Sequence, residues 1–143
     1  MRKVFVGTAL AAVLVSCVAT IDGGVYMSKC LELILGGMTM NTDTGGWSFS
    51  GAEFSAIDKK DCPAKFDRVE FEAGVDSNND GELQANERLI YVNDTSPGDH
   101  VVVGATTGTY GGPNGKVIVK YNVYYGGNPN PAVSKTEIIT PKA

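Results

Sequence analysis

Arg68-Val69-Glu70-Phe71-Glu72-Ala73-Gly74-Val75 sets Val69, Phe71, Ala73 and Val75 against Arg68, Glu70, Glu72 and Gly74. Apolar and polar residues alternate with a period of two, the mark of a strand with one buried face. A helical reading through Phe66, Val69 and Ala73 leaves Phe71 off the apolar stripe, and Gly74 would weaken the last turn by about 1 kcal/mol. Downstream, Leu89-Ile90-Tyr91-Val92 is a β-branched and aromatic run stopped by Asn93-Asp94, so it also reads as a strand. One helical turn over residues 84–88 is the only helix expected between them. The segment is therefore strand, loop, strand, and it points to an all-β chain.

The intervening residues 76–87 read Asp-Ser-Asn-Asn-Asp-Gly-Glu-Leu-Gln-Ala-Asn-Glu and satisfy D-x-[DN]-x-[DN]-G-x₅-E. Asp76, Asn78 and Asp80 place oxygens at alternate positions, and Gly81 permits the sharp turn. Glu82 would offer its backbone carbonyl, Gln84 a contact through water, and Glu87 both carboxylate oxygens. This is the pattern of a calcium-binding EF-hand loop, without the flanking helices that a regulatory EF-hand opens. It resembles calcium loops found outside paired EF-hands. Over about one tenth of the chain it is similar to short calcium-binding segments of bacterial surface lipoproteins. That resemblance implies calcium as the bound ion. Asp43 to Gly46 lacks a closing carboxylate, so no second loop is expected. An unpaired loop of this kind belongs with extracellular modules of about 10⁻⁴–10⁻³ M affinity.

The N-terminus has the layout of an export signal: basic Arg2 and Lys3, then an uncharged apolar stretch over residues 4–19. Within it, Leu14-Val15-Ser16-Cys17 resembles the lipobox of bacterial lipoproteins. That resemblance implies removal of residues 1–16 and a diacylglycerol on Cys17, an anchor stronger than a single acyl chain. Val18 at the second mature position is similar to an outer-membrane address. The implied location is the bacterial envelope, at the outer membrane or cell surface, with a membrane contact through the lipid. Two readings stay open beside it. Cleavage after Ala19 would release a secreted or periplasmic protein, and an uncleaved apolar helix over residues 4–21 is just long enough to span.

Three cysteines are odd for an exported protein, but lipidation of Cys17 leaves Cys30 and Cys62 as a pair. In an oxidising compartment they would close a disulfide loop, and two buried free thiols are the alternative. Neither stands in a C-x-x-C spacing, which disfavours zinc and dithiol redox chemistry.

Without residues 1–16 the chain keeps 10 of its 12 basic residues against 16 acidic ones, a net charge of about −6. An acidic chain without a basic patch argues against nucleic-acid binding. The organisation expected is a signal peptide (1–16), a short tether (17–28), one all-β calcium-binding domain (29–140) and a loose tail (141–143). The 18 glycines punctuate short apolar runs at 30–35, 47–49, 100–103, 116–125 and 136–140. With the two strands around the loop they suggest seven or eight strands in a sandwich or small barrel. Pro113-Asn114-Gly115 is a turn expected to join the strand ending near Tyr110 to the 116–125 strand as a hairpin.

Catalytic chemistry is not evident. His100, the only histidine, reads as a turn residue in Ser96-Pro97-Gly98-Asp99-His100, and Glu70 and Glu72 as a solvated strand face. Trp47, Tyr110, Tyr121, Tyr124 and Tyr125 are mainly core candidates, with a sugar-stacking surface as the alternative. The expected role is a non-enzymatic, calcium-binding envelope lipoprotein acting as a structural or binding module, with a protein or glycan partner and oligomerisation open. A carbohydrate-binding module, a polymer-forming envelope subunit and a small secreted hydrolase are the alternatives.

Overall fold

A computed structural model of the protein describes residues 18–41, 43–113 and 115–139. Cys17, residues 1–16 and the tail from 140 lie outside the described residues. The fold is all-β, with one 3₁₀ turn among the described residues, at Ala85–Glu87. The strands in chain order are β1 (Val18–Ile21), β2 (Gly24–Met27), β3 (Leu31–Leu35), β4 (Met38–Asn41), β5 (Gly46–Phe49) and β6 (Ala52–Ala56). They continue with β7 (Arg68–Asp76), β8 (Arg88–Asp94), β9 (His100–Val103), β10 (Thr106–Thr109), β11 (Lys116–Tyr124) and β12 (Val133–Ile139). Three antiparallel four-stranded sheets result, in the orders β1-β4-β5-β10, β2-β3-β6-β9 and β12-β11-β7-β8. None of them closes into a barrel among the described residues, and the arrangement is a sandwich.

The first two sheets are halves of one creased sheet. Ile21 faces Met38 and Gly24 faces Leu35, so the register runs through the bend without a slip. The same holds for Met38–Phe49 with Leu35–Ala52, and for Phe49–Thr106 with Ala52–Val103. Gly23, Gly36, Gly51 and Gly104 therefore fall in one row across the four strands. Backbone hydrogen bonds link neighbouring strands along the crease, from Gly36 N–H to the Gly51 carbonyl (2.7 Å) and from Ser50 N–H to the Gly37 carbonyl (3.0 Å). A side chain at Gly36 would meet Ser50 Cβ at 2.7 Å, and one at Gly23 would lie 2.9 Å from Gly37 N. Bending a sheet this sharply brings backbone against backbone, which is why a strand turns such a corner at glycine. Counted through the crease, the twelve segments make eight long strands.

The third sheet packs on this folded one. The alternation of β7 buries Val69, Phe71, Ala73 and Val75, and that of β11 buries Val117, Val119, Tyr121 and Val123. Phe71 joins the layers: its ring stacks on Phe49 at 5.3 Å and meets Phe54 edge-on at 6.3 Å. Phe54 in turn meets Tyr121 edge-on at 5.8 Å. Each such pair adds about 0.5–1.5 kcal/mol beyond area burial.

Three expectations are corrected. The segment expected as a tether, 17–28, holds β1 and β2, each paired into a sheet. With Val18–Ile21 in β1, a membrane helix over residues 4–21 does not keep its last turn. The 110–116 turn does not make a hairpin either, because β10 pairs with β5 while β11 pairs with β7 and β12. Its Asn114 lies outside the described residues.

Cys30 and Cys62 form a disulfide with a Cα–Cα distance of 5.3 Å. It ties the start of β3 to the long β6–β7 connection, a segment with few hydrogen bonds of its own. A structural disulfide marks an oxidising compartment outside the cytoplasm.

Candidate metal centre

The 76–87 loop begins where β7 ends. Asp76 is the last residue of that strand, opposite Lys116 of β11, and is buried at 1% exposure. A buried carboxylate must have its oxygens satisfied, and the turn does this. Asp76 Oδ1 accepts from Asp80 N–H (3.1 Å) and Oδ2 from Gly81 N–H (2.8 Å). Aiming both N–H groups back at one carboxylate requires left-handed backbone, which Asn79 (φ 59°) and Gly81 (φ 82°) supply.

Glu87 returns to the same point through the 3₁₀ turn and is buried at 3% exposure. Its Oε2 accepts from both Ser77 N–H and Ser77 Oγ–H, each at 2.8 Å, and its Oε1 from Gln84 N–H at 2.9 Å. Asp80, exposed, accepts from Glu82 N–H at Oδ1 (3.0 Å) and from the amides of Gln84 (2.7 Å) and Asn78 (3.2 Å) at Oδ2. The Gln84 N–H holds the Glu87 carboxyl below the usual range, helped by Ser77 against the cost of burial. The Glu82 N–H does the same for Asp80, with Gln84 adding to it. Both groups are thus held ionised.

Oxygens of Asp76, Asp80 and Glu87 lie within 4.8 Å of one another, an arrangement that can hold a metal ion. All the donors are oxygens, which suits a hard cation and disfavours thiophilic metals. Of the six residues expected as ligands, these three converge. Asn78 and Gln84 join them through Asp80, and Glu82 contributes its N–H to the Asp80 carboxylate.

Ser77 was not expected. It occupies a variable position of the motif, so spacing carries no signal for its double bond to Glu87. Gly74 is the other unforeseen contributor. The β7–β8 register shifts between Ala73 and Gly74, bringing Arg88 opposite Gly74. A Cβ at Gly74 would fall on the Glu87 carbonyl and stand 3.0 Å from Arg88 Cα. The loop can close because that side chain is missing.

The residues weighed for other chemistry are elsewhere. His100 opens β9, exposed, with Nε2 3.4 Å from Glu53 Oε1. Trp47 and Tyr121 are buried in the core, which removes them from a stacking surface. Glu70 and Glu72 pair with Arg68 (3.1 Å) and Arg88 (3.2 Å). Compared with known proteins, the chain matches no family model, no curated protein and no solved structure.

Proposed function

We propose that the chain is an exported bacterial lipoprotein, held on the envelope through lipid at Cys17, whose β domain takes calcium at residues 76–87. Its role is a structural or binding module rather than an enzyme. The observation that carries this reading is the convergence of Asp76, Asp80 and Glu87 within 4.8 Å inside a loop with EF-hand spacing. Calcium accepts six to eight oxygens in flexible geometry, and a half-turn of the Asn78 and Gln84 amides would present their oxygens in place of nitrogen. The disulfide supports export, where millimolar calcium would keep a weak site filled. With about 1 mM calcium and a dissociation constant near 0.1 mM, binding adds roughly 1.4 kcal/mol to stability.

Two measurements test the reading. Intact-mass analysis of the membrane-extracted protein should show loss of residues 1–16 and the mass of acyl chains on Cys17. Calorimetry should show calcium heat that disappears in Asp76→Ala and Glu87→Ala; a parent protein with neither heat nor a calcium-dependent melt would remove calcium from the proposal.

One observation favours a polymer-forming subunit as the second reading. Val25, Met27, Ile34 and Val102 are exposed, and all lie on the outer face of the β2-β3-β6-β9 sheet. An apolar surface of this kind suits self-association. Sedimentation with calcium present tests it: a monomer at high concentration argues against the subunit reading.

A further inference from the structure

Glu70 and Glu72, expected as a solvated strand face, lie in a recess on the outer side of β7 and β11. Glu70, Glu72, Lys120 and Asn122 form the floor, and Glu82, Leu83 and Arg88 form a wall from the loop and its exit. The cavity is about 310 Å³, at the small end of the roughly 300–1,000 Å³ of ligand pockets. Leu83 is buried although it lies outside the main core, so the loop is seated on this face.

Charge and hydrogen bonding define what fits. Glu70 is paired with Arg68 and Glu72 with Arg88, and the two remaining charges that line the recess, Glu82 and Lys120, are of opposite sign. The recess therefore offers little net charge to an ion. Its carboxylates keep lone pairs for further donors, while Lys120 and the Asn122 amide donate. Asn122 Oδ1 already accepts from Ser134 Oγ at 2.6 Å, which turns its NH₂ to other use. Tyr124 and Tyr91 lie near the floor, but each has a ring face covered by an arginine, Arg68 at 4.2 Å and Arg88 at 4.1 Å. Recognition here is by hydrogen bonds more than by stacking.

We propose that this recess binds a neutral, hydroxyl-rich ligand of about one sugar unit, and that a cation in the 76–87 loop tightens the binding by fixing the Glu82-Leu83 wall. The second half rests on the reading of the loop as a calcium site. Linkage requires that the sugar then tighten calcium by the same factor.

The test uses the full chain, isotopically labelled and kept in detergent micelles, with calcium alone and then glucose, galactose and N-acetylglucosamine as probes. With calcium, at least one sugar should shift the amides of Glu70, Glu72, Lys120 and Asn122 saturably, with a dissociation constant about tenfold lower than in chelator. Asn122→Ala and Lys120→Met should lose the shifts while melting like the parent. Calcium heat without any sugar shift overturns the recess and leaves the loop reading intact. Equal sugar affinity with and without calcium overturns the coupling. Tighter binding of glucuronate or glucosamine than of the neutral sugars overturns the ligand class. Absence of calcium heat overturns the loop reading, and the coupling with it.

Discussion

Ser77 holds Glu87 from two atoms at once, its backbone N–H and its hydroxyl both meeting Oε2 at 2.8 Å. The second and last residues of the loop are thereby clasped before any cation arrives. The closing carboxylate is positioned by these hydrogen bonds, and a metal has less ordering left to do at Glu87.

Ser77→Ala removes one of those two bonds and leaves the backbone donor. Calcium should bind about threefold to tenfold more weakly, since one neutral-to-charged hydrogen bond no longer positions the closing carboxylate. Calorimetry against Ser77→Thr, which keeps the hydroxyl, measures this; equal weakening in both variants would point to packing instead.

Acid should loosen the loop. The folded Glu87 and Asp80 carboxyls titrate below their ordinary values, so the stability they contribute is complete above the unfolded pKa. It is lost as pH falls through the folded pKa, beginning below about pH 4. Metal-free melts from neutral pH downward should show that decline, and Glu87→Gln should flatten it.

Gly74→Ala should cost about 1–3 kcal/mol, because its Cβ must displace the backbone at Glu87 and Arg88. Urea unfolding reads the loss. Calcium affinity should fall in the same variant, although residue 74 supplies no ligand.

Replacing Cys30 and Cys62 by serine should destabilise the domain by about 3.5–4 kcal/mol in the chain-entropy account of their 32-residue separation. Melts of parent and variant, both without reductant, give the difference. Calcium binding should persist, since the disulfide and the loop lie on different connections.

Much of this could be read from the chain itself. Period-two alternation at 68–75 and 116–125 marks β7 and β11, and motif spacing marks Asp76, Asp80 and Glu87. Counting cysteines pairs Cys30 with Cys62. What stayed hidden depends on distant contacts. The turn at 113–115 is locally suited to a hairpin, but β11 finds β7, forty residues earlier, which offers Val69, Phe71 and Val75 on a matching face. The strands within 18–27 stayed hidden because their apolar residues continue the leader-like run, so 17–28 reads as a tether. Alternation places Glu70 and Glu72 on the outer side, yet it cannot show that the loop folds over them.

Within the glycine row of the crease, Gly36 and Gly51 act as an alignment pin. Sliding the 46–56 strand by a single residue would bring Ser50 or Ala52 into the crease, where the backbones of Gly36 and Gly51 already touch. The same slip would turn that strand's buried side chains outward. Misregistration of that strand is thus penalised twice, at the fold line and along both half-sheets.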